Sequence, residues 1–367
     1  MADRVFLLIG THKGGFVLES DGDRKDWQLR GPFFAGHNVH HLTMDVRGKA
    51  PIMYAAVNSE WFGPGVRMSS DFGETWMEPE QGVKFEEGSG LSVEKVWQIT
   101  PGGFTSPGVI YAGVEPAALF RSDDNGQTWS DIKGLTNHET RDQWAPGAGG
   151  LMLHSILPHP YDGRRMQIAI SAAGTFETTD GGETWKPRNK GVRVDFMSDQ
   201  DEYPEVGQCV HHLECHPSRP DLLYQQNHCG IYRSNTGGEQ WTEISSGLPA
   251  FFGFPILVHP VEDDTVYVVP MQGPEFRAAP EGKFAVYRSR DRGETWDRLD
   301  NGLPNTDAYE TVYRQATCAD SIEPAAGIYL GTSAGQVFGS LDNGDSWVTL
   351  ASNLPTIYSV EAKVVEG

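Results

Sequence analysis

Seven times along the chain a turn signature returns at near-constant spacing, and that period dictates the architecture. The signature reads Ser/Thr-x-Asp-x-Gly-x-Thr-Trp. It is well formed at Ser69–Trp76, Ser122–Trp129, Thr178–Trp185, Ser289–Trp296 and Ser340–Trp347, the last with Ser346 in the Thr place. It is degenerate at Ser234–Trp241, where Thr236 and Gln240 replace Asp and Thr, and at Ser20–Trp27, where Gly22 and Arg24 stand at the Asp and Gly places. The Trp residues at 27, 76, 129, 185, 241, 296 and 347 follow one another at 49, 53, 56, 56, 55 and 51 residues, and 367 residues over seven copies is about 52, so the repeat accounts for the whole chain.

Each signature has the chemistry of a hairpin turn. An Asp carboxylate accepts from backbone amides just downstream, Gly supplies a positive φ, and Trp opens the next strand as an apolar anchor. Short β-rich runs precede each turn, as in Val109–Val114 followed by Ala118–Arg121. Four short strands per 52-residue unit, with no helical period, predict an all-β, seven-bladed β-propeller of four-stranded blades forming one domain over residues 1–367. Phe6–Thr11 matches the second strand of a blade (compare Ile328–Thr332), so the first blade lacks its inner strand. Residues 357–364 are expected to supply it and close the ring.

Composition narrows the function. With 50 acidic against 29 basic residues the formal charge is −21, which repels nucleic acid and anionic membrane surfaces. Four Cys without a CxxC pair make neither a disulfide framework nor a thiolate zinc site. The apolar run at residues 5–9 is too short for a secretory leader and no later run reaches membrane-spanning length, so a cytoplasmic protein, a monomer or small homo-oligomer, is expected.

The inner strands surround a propeller's channel, and here they align on their apolar residues. Two neighbouring columns result: Tyr358, His40, Trp97, His154, His211, Phe254, Tyr313, and Ser359, His41, Gln98, Ser155, His212, Pro255, Arg314. Five of the twelve histidines fall in them. Strand alternation turns one column per blade to the axis, so His40, His154 and His211 are expected to converge at the channel mouth. Three imidazoles suit a divalent transition metal (Zn, Mn, Fe or Cu), with His41 and His212 as further ligands; neutral imidazole is equally a general base. His159, His216 and His259, each followed by Pro, mark the turns at the opposite strand ends. Loops toward the mouth add carboxylates: Glu60, Glu115, Glu139, and Glu202 within the long connector Asp201–Glu205.

The turn signature resembles the BNR or Asp-box family, whose members include sialidases, xyloglucan-active glycosidases, sortilin-type receptors and photosystem assembly factors. That resemblance covers every blade and implies the propeller fold, with Asp-box turns between third and fourth strands, away from the active face. The sialidase mechanism implied by part of the family needs three arginines, a Tyr nucleophile with Glu, and an Asp acid. Tyr313 with Glu310 imitates the pair, but Arg314 alone stands in the hub columns, with Arg141 and Arg277 in loops. Three readings follow. The first is a metal-dependent lyase, hydrolase or oxygenase acting on a small-molecule or carbohydrate substrate through the histidines, with Glu60, Glu115, Glu202, Tyr313 and Arg314 as catalytic candidates. The second is a glycoside hydrolase using two acidic groups across the channel. The third is a non-catalytic binding propeller.

Overall fold

A computed structural model describes residues 3–195 and 202–367. It contains seven antiparallel sheets arranged as propeller blades, six with four strands and one, Asn38–Asp45 with Ile52–Ser59 and Gly63–Ser69, with three. In that blade a bridge between Met68 and Met77 takes the place of the fourth strand. Among the described residues no helix is long and apolar enough to cross a membrane.

Ring closure is as the orphan strand demands. Ile357–Val365 pairs antiparallel with Arg4–Thr11 over its length, from Arg4 opposite Val365 to Gly10 opposite Ser359, so blade one is built from both ends of the sequence. The turn signature also forms as its residue types require. In blade three the Ser122 hydroxyl donates to Asp124 Oδ1 at 2.7 Å and accepts from Gly126 N at 2.8 Å, while Asp124 accepts from Thr128 N at 2.9 Å and Thr128 Oγ1 at 2.6 Å. Gly126 stands at φ 88°, and Trp129 Nε1 donates to its carbonyl. Trp129 is then buried at 1% exposure against Tyr54 and Met68 of blade two, so each turn locks its blade onto a neighbour. The degenerate copy keeps the frame with one oxygen fewer: Thr236 Oγ1 accepts from Gln240 N at 3.1 Å.

One irregularity recurs in the inner strands and decides what lines the channel. Val39 pairs with Val57 and His41 with Ala56, leaving His40 as an extra residue. Trp97, His154, His211 and Tyr358 are extra in the same way. Each is a β-bulge, which breaks the period-2 alternation and turns neighbouring residues of both columns toward the axis at different heights. Glycines let the blades approach there: a Cβ on Gly113 would lie 2.4 Å from the Leu153 carbonyl of the next inner strand, and one on Gly10 2.7 Å from the Val39 carbonyl.

Blade seven departs from the aligned pattern. Its inner strand pairs within its own sheet over Thr317–Ala319, and the preceding Tyr313–Gln315 leaves that sheet. Gln315 instead bridges in parallel to Ser359 of the closing strand, and its Nε2 donates to the His154 carbonyl of blade four at 2.6 Å. This segment therefore crosses the channel and divides it in two.

Candidate active site in the central channel

On the strand-start side of the crossing segment the first column packs ring against ring. His40 stacks on Trp97 with centroids 4.3 Å apart and 18° between planes, and lies 4.9 Å from Tyr358. Contacts continue from Tyr358 to Tyr313 at 5.7 Å, Tyr313 to Phe254 at 6.1 Å and Phe254 to His211 at 4.9 Å. His40 and His211 are members of this aromatic collar, while His154 is held beside it by hydrogen bonds, so the three do not surround a common point. His154 is fully buried, with Nε2 donating to the Val210 carbonyl and Nδ1 bonded to Ser155 Oγ, both at 3.0 Å. His211 Nδ1 donates to the Gly253 carbonyl at 2.6 Å. The structure does not bring His40, His154 and His211 into one ligand set. Their bulged positions direct each ring into contact with the neighbouring blade. Among the described residues, three His, Cys, Asp or Glu side chains share one ligand-sized space at Cys209, His211 and His228, whose donor atoms lie within 4.8 Å of one another.

Beyond the crossing segment the channel opens into a cavity of about 490 Å³, a size that ligand pockets commonly have. It is lined by three second-column residues, His41, Gln98 and His212, by Glu214 and Glu361 two positions beyond that column on their strands, and by Gln315 of the crossing segment. Its rim is formed by inner-strand ends such as Asp45–Arg47 and Thr100–Gly102. It therefore opens on the face that carries the Asp-box turns, opposite to the mouth where a ligand site was expected.

Two carboxylates in this cavity have opposite affinities for a proton. Burial, together with the nearby charge of Glu361, pushes the Glu214 pKa up to about 8. For Glu361 burial acts in the same direction, but Lys363 and His41 outweigh it and hold the pKa below the ordinary value. Lys363 Nζ lies 2.7 Å from Glu361 Oε1, and Thr43 Oγ1 donates to the same oxygen at 2.9 Å. A histidine flanks each acid: His41 Nε2 stands 3.3 Å from Glu361 Oε2, and His212 Nε2 3.5 Å from Glu214 Oε1. Burial lowers both histidines, His212 to about 3 with help from Arg314, so both are neutral near pH 7. His41 Nδ1 accepts from Ile99 N at 3.5 Å, which leaves the proton on Nε2, facing Glu361. At neutral pH the cavity thus holds a protonated carboxylic acid, an ionised carboxylate and two neutral imidazoles, the equipment of acid–base catalysis.

The remaining sequence candidates are dispersed. Glu60, Glu139 and Glu202 are exposed, and Asp201 lies outside the described residues. Glu115 is buried in the collar wall, where it accepts from Lys95 Nζ at 3.0 Å and Trp97 Nε1 at 3.1 Å. Tyr313 is a collar ring, and Glu310 is buried, with burial raising its pKa. The Arg314 guanidinium lies 4.8 Å over the Phe254 ring; burial and Arg277 bring its pKa to about 10, and its Nε has no partner. His41 and His212 enter the cavity, beside two acids that the columns stop short of. His159 and His259 are turn residues as read: each Nδ1 accepts from two backbone amides beyond the Pro, at 2.9 to 3.2 Å.

The family model of the BNR/Asp-box repeat matches residues 120–131, the turn of blade three. That turn is a BNR/Asp-box repeat. The chain is 25% identical over 322 residues to a xyloglucanase from Paenibacillus sp., a match that covers 83% of this chain but spans 26% of that protein's length. The crystal structure of an ancestral GH74 enzyme superposes with a TM-score of 0.54 at 16% identity, over 89% of this chain and 38% of the other. A putative 6-phosphogluconolactonase from Bacteroides uniformis superposes over all of both chains with a TM-score of 0.59 at 12% identity. At such identities the structural likenesses speak for the propeller alone.

Proposed function

We propose that this Asp-box propeller is a glycoside-cleaving hydrolase whose acid–base pair is Glu214 and Glu361. The observation that carries the reading is the separation of the two proton affinities within one cavity. The relative named as a xyloglucanase supports carbohydrate as the substrate class. In this reading Glu214 gives its proton to the leaving glycosidic oxygen as the bond to the anomeric carbon breaks. In an inverting reaction water adds to that carbon and passes its proton to Glu361; in a retaining one Glu361 adds to the carbon first, and water then displaces it while passing its proton to the deprotonated Glu214. His41 and Thr43 hold Glu361 in place, while Lys363 keeps it ionised.

The test is turnover of a panel of aryl glycosides and xyloglucan oligosaccharides by wild-type protein, Glu214→Gln and Glu361→Gln. Activity that falls by about 10³ in each variant, with the circular-dichroism spectrum unchanged, supports the assignment. Wild-type protein without activity across the panel, or variants that keep it, overturns it. Azide added to Glu361→Ala restores turnover if Glu361 is the nucleophile.

A further inference from the structure

On the other side of the crossing segment a second cluster answers to different chemistry. Cys209 immediately precedes the inner strand of blade five, His211 is that strand's bulged residue, and His228 sits in the turn joining the blade's second and third strands. The turn is fastened to the strand start, since His228 N donates to the Cys209 carbonyl at 2.9 Å. The bulge matters here, because it turns the His211 ring toward the turn instead of across the channel. His211 and His228 then meet edge to face with centroids 5.6 Å apart, and Phe252 packs on both, at 5.1 and 5.3 Å.

Three features separate this cluster from a chance meeting of polar side chains. The His211 Nδ1 proton is given to the Gly253 carbonyl, so the Nε2 lone pair is the free one; metal-bound histidines are commonly oriented in this way by a backbone acceptor. The donors are one sulfur and two imidazoles, a set that prefers Zn²⁺ and related borderline ions to Mg²⁺ or Ca²⁺. The span is also close to what an ion needs. Zn–S near 2.3 Å and Zn–N near 2.0 Å place tetrahedral donors about 3.5 Å apart, so the 4.8 Å envelope closes by side-chain rotations of about 1 Å.

We infer that Cys209, His211 and His228 bind one Zn²⁺-like ion in a three-ligand site with its fourth position open to the channel mouth. Arg314 and Arg277, both over the Phe254 ring at 4.8 and 5.5 Å, are close enough to act on the charge of Cys209 and His211. Neither has a carboxylate partner among the described residues, whereas fifteen of the nineteen arginines do. Two guanidinium groups oppose a bare cation. Deprotonation of Cys209 on binding removes one charge, and an anionic fourth ligand, hydroxide or a carboxylate, takes up another. The site stands independently of the acid–base pair on the far side of Gln315.

Titration of the purified, tag-free protein with Co²⁺ reads this directly, because cobalt reports tetrahedral geometry in the visible and a thiolate ligand by charge transfer in the near ultraviolet. One equivalent with both signatures is expected. Cys209→Ser should abolish the charge-transfer band, and His228→Gln, on a surface turn, should weaken binding at least tenfold with unchanged thermal unfolding. Acetate should perturb the visible bands in wild type and not in Arg314→Gln. His41→Gln, in the cavity beyond the crossing, should bind as wild type does. Absence of stoichiometric binding, or a charge-transfer band that survives Cys209→Ser, overturns the site; octahedral cobalt spectra also do so.

Discussion

At the strand starts the channel is filled with stacked rings and unpaired arginines; four to six residues further along the same strands it is open, polar and acidic. The collar from Trp97 through His40, Tyr358, Tyr313 and Phe254 to His211 is a packing device, each ring contact contributing about 0.5–1.5 kcal/mol beyond the area it buries. The cavity around Glu214 and Glu361 buries ionisable groups next to open space, which stabilises nothing and sets proton affinities instead. One set of strands thus separates cohesion from chemistry by height along the channel, and the bulges together with the Gln315 crossing mark the boundary.

The sharpest way to break this division is to exchange the consequences of mutation. Glu214→Gln and Glu361→Gln should each lower kcat/KM by about 10³ while leaving the melting temperature within a few degrees, as steady-state kinetics and calorimetry would show. A large loss of stability with activity retained would assign these acids to packing. The mirror experiment is Trp97→Ala, which removes a collar ring and should destabilise the fold by about 3 kcal/mol in urea titrations, with kcat of the folded fraction little changed.

Acidity separates the regions next. His40 is lowered to about 3, chiefly by burial, and His154 and His211 fall well below their ordinary value for the same reason, with Arg314 contributing. Their unfolded forms take up protons near pH 6.5 while the native forms do not. The collar's stability is therefore complete above about pH 6.5 and declines toward pH 3, by at most about 1.4 kcal/mol per pH unit for each histidine. His40→Phe should flatten that decline in a pH series of melting temperatures, and an unchanged slope would show His40 to be solvated. The cavity's effect has the opposite sign. Glu214 keeps its proton up to about pH 8 while the unfolded chain releases it near 4.5, so stability falls as pH rises through that window. Glu214→Gln should then melt higher than wild type at pH 8.5 and equal it at pH 4.5.

Much of this was open to a reader of the sequence. The Trp spacing carries the blade number, and the orphan strand at Phe6–Thr11 carries the closure, because both follow from local hydrogen-bonding patterns that repeat. The channel columns are also correct as a list of inner-strand residues through blade six. What alternation could not supply was their direction, since a bulge is a matter of register between two strands and leaves no mark in one of them. Glu214 and Glu361 stand two residues beyond His212 and Ser359 on the same strand face, a relation visible in His212-Leu213-Glu214 and Ser359-Val360-Glu361. Among 50 acidic residues nothing singled them out until the depth of the cavity did. Cys209 and His228 come together only through the pairing of Val210 with Asn227.

The closing strand has a consequence for when the cavity becomes complete. Glu361 belongs to residues 357–365, which are synthesised after Glu214 and long after its own neighbours His41 and Thr43. A nascent chain can therefore stack blade on blade and acquire most of its bulk while still lacking Glu361, the ionised member of the cavity's two acids. Completion of the ring and completion of this carboxylate pair are the same event, so an unfinished or sprung propeller lacks one of the two acids that the proposed reaction needs.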